Sequence, residues 1–288
     1  MQRATRTALV GAVAAASGVV VLRVVAFRVP AAHHADAATL QGFLSLDRPR
    51  IHPLALALAR VADPLPYGLL GLFLVGVALA RGRLRTAAAA AVVLLGATVS
   101  TDYVLRPALA APRWASELGT AQMANASFPS GHATASMALA LCAILVAPRG
   151  LRPLAAAVGA GFAIAVSYAL LSLGWHYPSD VVGGYLVAAS WAGAAVAALR
   201  AAEARWPERP GRRAPGWVFS RAESGALACT LAGLALAMAA SVAAWAPDRA
   251  LHFVRLHTIF VIGAGLIALA GLAVAGVVAA SMREASER

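Results

Sequence analysis

HYPSDVVGGYLVAASWAGAAVAAL, residues 176–199, decides the fold of this chain, because a short polar segment opens a long apolar run. A run of this length suits a helix that crosses a hydrocarbon core about 30 Å thick. Pro178 favours the first position of a helix, which places Ser179 and Asp180 in the first turn and His176 just outside it. The stretch therefore predicts a membrane span with a histidine and a carboxylate at its water-facing end.

The same pattern extends over the whole chain. Hydrophobic residues make up 61% and charged residues 12% of the 288 residues, which lies outside the range of soluble globular domains. We predict an all-α polytopic membrane protein, with a six-helix core and two additional C-terminal transmembrane helices. The predicted spans are residues 7–27, 65–80, 86–105, 132–147, 151–173, 180–199, 223–245 and 258–281.

The arginines indicate domain organisation and orientation. The net charge is +12, and no basic stretch is interleaved with aromatic residues, so nucleic acid is not an expected partner. Most arginines fall between spans on the side of the amino terminus, which places that side in the cytoplasm. We predict a six-span core over 1–200, an arginine- and proline-rich cytoplasmic connector over 201–222, and a two-helix membrane extension over 223–288. Abundant arginine and alanine indicate a GC-rich bacterial source, and hence a bacterial plasma membrane.

Ser130, Gly131 and His132 lie immediately before and at the start of the fourth predicted span. Their backbone N–H groups are expected to be the unpaired donors of a helix amino terminus, which attract an anion. The predicted orientation puts this segment and the His176 segment on the same, extracytoplasmic face. Two histidines on separate segments allow one to attack a phosphorus atom while the other protonates the leaving oxygen.

Two arginines, Arg106 and Arg113, stand upstream in the same loop. Pro107 and Pro112 lie between them and predict an extended path rather than a regular helix. Two guanidinium groups can then converge on one phosphate. Asp180 is expected to reach back to one nitrogen of the His176 imidazole, which fixes its tautomer and raises the basicity of the other nitrogen.

Together these segments resemble a known family. Arg106-x6-Arg113, Pro129-Ser130-Gly131-His132 and His176-x3-Asp180 are similar to the three ordered motifs of the type-2 phosphatidic-acid phosphatase (lipid phosphate phosphatase) superfamily. The resemblance implies that His176 is the nucleophile, Asp180 its orienting partner and His132 the general acid. It implies that Arg106, Arg113, Ser130 and Gly131 bind the phosphoryl group, and it implies neither a metal nor a cofactor.

The chain departs from the family pattern at several positions. The first motif of the family usually begins with lysine and has proline after its arginine, where this chain has Arg106 and Trp114. The third motif usually carries serine and arginine seven and six residues before its histidine, where this chain has Ala169 and Leu170. One cation of the family's site is therefore missing.

These observations predict an integral membrane phosphatase, acting through a phosphohistidine on a phospholipid or a polyprenyl (di)phosphate, with its active site outside the cytoplasm. Membrane lipids are the other expected partners, and association into a homo-oligomer is a further possibility. Three alternatives remain at this point: a non-catalytic protein that binds lipid headgroups, a phosphotransferase with an acceptor other than water, and a transporter. Few polar residues lie within the spans, which disfavours the transporter.

Some polar and small residues receive a simpler interpretation. His33, His34 and Asp36 faintly resemble the ligands of a metal ion. A third spaced donor for a metal is lacking, so we interpret these residues as solvated loop residues. Gly183 and Gly184 are expected to allow close packing of helices.

Overall fold

The computed structural model describes residues 3–112, 126–206 and 247–282, together with positions 225 and 229. Regular secondary structure in these residues is entirely helical. The helices are α1 (Arg3–Arg28), α2 (Pro30–Leu44), α3 (His52–Arg60), α4 (Pro64–Ala80), α5 (Leu84–Val99), a π-helical turn (Ser100–Leu105), α6 (Arg106–Leu109), α7 (Gly131–Val146), α8 (Arg152–Ser172), α9 (Pro178–Arg205), α10 (Pro247–Leu256) and α11 (Thr258–Ser281).

Each span predicted within residues 1–200 corresponds to an apolar helix, so the predicted all-α membrane fold is confirmed. Among the described residues, five helices are long and apolar enough to cross a membrane, or six when α3 and α4, bent by 52° at their junction, count as one. The predicted count of six plus two spans stays a prediction, because residues 223–245 lie almost wholly outside the described residues. The division into core, connector and extension also stays a prediction.

Helix α7 forms the centre of the bundle. It has only 16 residues, and all but three of them are buried. Helices α4, α5, α8 and α9 pack around it, while α1 packs along α9. A helix enclosed in this way contacts protein over most of its length, which makes its amino-terminal end a point where loops from several neighbours meet.

The two ends of the bundle differ in the chain segments that they bring together. One end, which we call the site end, holds the amino-terminal ends of α4, α7 and α9 and the carboxyl-terminal end of α5. The other end, which we call the arginine end, holds Arg81, Arg83, Arg85, Arg152 and Arg200, whose side chains donate to backbone carbonyls.

Helix α11, from the carboxyl-terminal part of the chain, packs against α2, α8 and α9. It begins at the site end, where the Thr39 hydroxyl donates to the carbonyl of Ile259 at 3.4 Å. It finishes at the arginine end, where Arg152 donates to the carbonyl of Met282 at 2.9 Å. The final helix therefore runs in the same direction as α9 and closes one side of the bundle.

Candidate active site

Ser130 caps the amino terminus of α7. Its hydroxyl accepts a hydrogen bond from the N–H of Ala133 at 3.2 Å, and Gly131 is the first residue of the helix. This confirms the predicted position of the Ser130-Gly131-His132 segment at a helix start. The cap occupies one of the donors that a helix amino terminus leaves unpaired.

The segment that precedes α7 is joined directly to the start of α9. The N–H of Ser130 donates to the backbone carbonyl of Asp180 at 2.9 Å. The expectation that this N–H is an unpaired donor for an anion was therefore wrong, because it has a backbone partner. Ser130 instead serves to hold two site segments together.

Glycine makes this junction possible. A Cβ atom on Gly184 would lie 2.8 Å from the carbonyl oxygen of Ser130, and a Cβ atom on Gly183 would lie 2.8 Å from the ring of Phe128. Both distances are shorter than real Cβ contacts, so only glycine lets α9 approach this closely. The predicted role of Gly183 and Gly184 in close packing is confirmed.

His176 lies just outside α9, which begins at Pro178 as predicted. Asp180 is fully buried, and its Oδ2 accepts from the N–H of Tyr177 at 2.9 Å. The same oxygen is 3.5 Å from Nδ1 of His176, whose side chain is 9% exposed. This separation is longer than a well-formed hydrogen bond, and it places the carboxylate on the Nδ1 side of the ring. The other ring nitrogen, Nε2, lies on the side of the ring away from this carboxylate.

Asp36 supports the same loop from a distant part of the chain. Its carboxylate accepts from the N–H of Ser179 at 2.9 Å and from the Ser179 hydroxyl at 2.7 Å. Asp36 is 8% exposed and lies on α2. The interpretation of His33, His34 and Asp36 as loop residues, and of Asp36 as solvated, was therefore wrong, because all three are helical and Asp36 packs against the first turn of α9.

His132 has a carboxylate partner that the motifs do not include. Its Nε2 lies 3.0 Å from Oδ1 of Asp63, which immediately precedes α4. The imidazole is 28% exposed. Its ring centroid lies 5.7 Å from that of Trp175, the residue before His176. The two histidine segments are thus in contact through this indole ring.

Arg106 completes the part of the site that the structure describes. Its Nε donates to the carbonyl of Ala126 at 2.9 Å, and its Nη1 lies 3.2 Å from Oδ1 of Asp102. A Cβ atom on Gly131 would lie 3.0 Å from that carboxylate oxygen and 3.8 Å from Nη1 of Arg106. The guanidinium group is therefore held beside the start of α7.

The path of the chain around Arg106 differs from the expectation. Residues 106–109 form a short helix that continues α5 through the π-helical turn, and the extended backbone begins at Ala110. Pro107 lies near the end of the continuous helical run Leu84–Leu109, where it has no N–H to donate to the preceding turn. Arg113 lies outside the described residues, so its predicted role in binding phosphate stays a prediction.

The positions of the missing family residues are apolar and buried. Leu170 is completely buried near the end of α8, and Ala169 is 5% exposed. The backbone carbonyl of Leu170 accepts from the N–H of Trp175 at 3.0 Å, which turns the chain back toward α9. This position therefore shapes the loop before His176 without supplying a cation.

An apolar cavity of about 430 Å³ lies beside the first turn of α9. Residues of α1, α2, α9 and α11 line it, including Val25, Val182, Ile262 and Leu266. Asp36 also borders the cavity, but both of its carboxylate oxygens accept hydrogen bonds from Ser179. The walls are thus suited to a hydrocarbon chain.

The fold and the site define a class of protein: a helical membrane protein with two carboxylate-paired histidines at neighbouring helix ends. Residues 82–204 match the model of the PAP2 superfamily. The match confirms the resemblance to the type-2 phosphatidic-acid phosphatases. Neither the curated proteins nor the solved structures include a match to the chain.

Two carboxylates of the site lie outside the matched segment. Asp36 and Asp63 contact Ser179 and His132 across 143 and 69 positions of sequence. Asp63 stands before Pro64, which is a signal for a helix start, but no local pattern indicates that its partner is a histidine. Only the packing of α2 and α4 against the matched helices brings these residues to the site.

Proposed function

We propose that this protein is an integral membrane phosphatase that hydrolyses a lipid phosphate or a polyprenyl diphosphate through a phosphohistidine on His176. The observation that carries the proposal is the contact between the three motif segments at one end of the bundle. The backbone N–H of Ser130 donates a hydrogen bond to the carbonyl of Asp180. Arg106 lies beside Gly131, and Trp175 packs against His132. The match of residues 82–204 to the PAP2 superfamily model is consistent with phosphatase chemistry.

In the first step, Nε2 of His176 attacks the phosphorus atom and the bond from phosphorus to the leaving oxygen breaks. His132 transfers a proton to that oxygen, so the leaving group departs as a neutral alcohol, or as a monophosphate when the substrate is a diphosphate. Arg106 stabilises the negative charge on the remaining phosphoryl oxygens. Asp180 stabilises the positive charge that develops on the imidazole of His176.

In the second step, water attacks the phosphohistidine. His132, now neutral, takes a proton from the water, the nitrogen–phosphorus bond breaks, and inorganic phosphate leaves. Both histidines return to their initial protonation states. The cycle needs no group beyond the residues named and water.

Charge distribution supports an extracytoplasmic site. In the predicted layout of spans, most arginines fall on the side of the arginine end, which the positive-inside rule assigns to the cytoplasm. The site end then faces outward. The apolar cavity beside Ser179 supports a substrate with a hydrocarbon tail, because its aliphatic walls are as apolar as the bilayer interior from which such a tail comes.

The test is phosphate release by the purified protein from phosphatidate, phosphatidylglycerophosphate and polyprenyl diphosphates. We expect His176→Ala to abolish release and to remove the labelled phosphoenzyme that rapid quenching traps in the unmodified protein. His252→Ala, at an exposed position of α10, is the matched control and should keep full turnover. Undiminished turnover in His176→Ala would refute the assignment of the nucleophile.

The same assay separates the headgroup-binding and phosphotransferase alternatives from the phosphatase. Binding of these lipids with no release from any of them would indicate a non-catalytic protein that binds headgroups, which the buried Leu170 at the family's arginine position favours. Transfer of phosphate to an added alcohol or lipid, in preference to water, would indicate a phosphotransferase.

A further inference from the structure

The neighbourhood of His132 contains one charged group that the catalytic cycle has not used. Oδ1 of Asp63 lies 3.0 Å from Nε2 of His132, a hydrogen-bond distance. Asp63 stands at the bend of 52° between α3 and α4, outside the three motifs and outside residues 82–204. Its position relative to His132 is therefore a property of the tertiary structure and not of a motif.

Asp63 occupies the amino-terminal cap of α4, yet its side chain makes no capping hydrogen bond. A capping carboxylate normally accepts from the second or third N–H of its helix. The third residue of α4 is Pro66, which has no N–H, and the first is Pro64. The first turn of α4 therefore has few N–H groups for the carboxylate to cap. The carboxylate contacts the imidazole of His132 instead.

A carboxylate at Nε2 determines how the ring is used. It accepts the Nε2–H, so Nδ1 of His132 becomes the nitrogen that exchanges a proton with the substrate. His176 has the converse arrangement, because Asp180 lies on its Nδ1 side and leaves Nε2 for attack.

From this geometry we infer that Asp63 is the positioning residue of the general acid, holding the ring of His132 in the orientation that delivers a proton to the leaving oxygen. The inference rests on the proposed phosphatase function and deepens it. In the step concerned, the phosphorus–oxygen bond breaks, the electron pair stays on the leaving oxygen, and the proton on Nδ1 of His132 passes to that oxygen. Asp63 keeps its charge throughout and contacts no substrate atom.

A comparison of leaving groups tests the inference. An alkoxide leaving group needs the proton, whereas a nitrophenolate leaves without it. We expect Asp63→Asn to lower turnover of an alkyl phosphate by about 10-fold to 100-fold. Turnover of a nitrophenyl phosphate with an alkyl chain of the same length should change by less than about threefold. Asp63→Glu should restore part of the alkyl phosphate turnover.

Two further variants make the comparison specific. Asp47 and His52 form an exposed pair at 3.1 Å, so Asp47→Asn removes the same kind of contact from a place outside the site and should leave both rates unchanged. His132→Ala should show the same dependence on the leaving group. Adding Asp63→Asn to His132→Ala should lower the rate no further, because the two residues act as one unit.

Each outcome decides the matter. Equal losses on both substrates, or a loss that adds to that of His132→Ala, would mean that Asp63 only stabilises the start of α4, and would overturn the inference. No loss on either substrate would overturn it as well. The nitrophenyl substrate also reports whether each variant is folded. If the unmodified protein releases phosphate from neither probe and from none of the lipids named under the proposed function, the proposed function fails and the inference fails with it.

Discussion

The two ends of the bundle place opposite charges at helix termini. At the site end, Asp36 and Asp180 lie at the amino-terminal turn of α9. At the arginine end, Arg81 and Arg83 both donate to the carbonyl of Val146, at the carboxyl terminus of α7. Both arrangements complement the helix dipole. The difference is that carboxylates at the site end also contact histidines and the loop that carries them, whereas the arginines bind backbone carbonyls.

This comparison predicts different consequences at the two ends. Changes at the site end should lower turnover more than stability, because the affected groups orient reacting side chains. Changes at the arginine end should lower stability and leave turnover nearly unaltered. The following variants are ordered by the expected loss of turnover.

Asp180→Asn should have the largest effect of these variants. Loss of the charge beside Nδ1 of His176 removes the group that orients the ring and stabilises its positive charge, and kcat should fall by about 10³-fold. Steady-state phosphate release at saturating substrate measures the loss. Thermal unfolding in detergent serves as the control for folding, and a loss in kcat of less than about threefold would contradict the assigned role.

Asp36→Ala should have the next largest effect. The substitution leaves the N–H and hydroxyl of Ser179 without their carboxylate, at a cost of about 1–3 kcal/mol, and allows the His176 loop to shift. We expect kcat to fall by about tenfold, because small displacements of a nucleophile are costly. Asp248→Ala, at an exposed position on α10, is the control and should match the unmodified protein. An unchanged kcat in Asp36→Ala would show that the loop is held by other contacts.

Ile262→Trp should alter chain-length preference and little else. Ile262 lines the apolar cavity, so an indole at this position fills space that a hydrocarbon tail would occupy. The ratio of kcat/KM for long-chain to short-chain substrates should fall by about threefold to tenfold. Leu272→Trp, on the same helix but away from the cavity, should keep the original ratio. Equal ratios in the two variants would place the tail elsewhere.

Arg200→Met should have the smallest effect on turnover. Arg200 is 8% exposed and donates to the carbonyls of Ala4 and Ser281, so its loss removes links from α9 to α1 and α11. The free energy of unfolding should fall by about 1–3 kcal/mol. Turnover should change by less than about twofold, because this residue lies about 33 Å along α9 from the site end. A large loss of turnover without a loss of stability would contradict the division between the two ends.

The positions of the helices could be predicted because each depends on local sequence. The predicted span 151–173 corresponds to α8, and the predicted span 132–147 corresponds to α7. In a bilayer an apolar run of this length must satisfy its backbone hydrogen bonds internally, so it becomes a helix whatever surrounds it. Pro178 and Ser130 similarly indicate where α9 and α7 begin, because their preferences for helix starts are intrinsic.

The contacts within the site were harder to predict, because the same hydrogen-bonding group can pair with any of several partners, and the packing of distant helices decides which one is near. The N–H of Ser130 was expected to be unpaired and able to bind an anion. Packing of α9 against α7 instead places the carbonyl of Asp180 within hydrogen-bond distance of this N–H. Arg106 was expected in an extended loop, but α5 continues past it. Neither outcome is visible in a pattern of nearby residues.

By itself, the sequence determined the membrane class, the helix positions and the residue types that make phosphoryl chemistry feasible, since hydrophobic length and helix-start preferences act over a few neighbouring residues. Only the tertiary structure decided which distant carboxylates contact His132 and the loop that carries His176. Asp63 reaches His132 and Asp36 reaches Ser179 because α4 and α2 pack beside the central helices. Pairing between side chains so far apart in the chain depends on the packing of whole helices, which no local stretch of residues specifies.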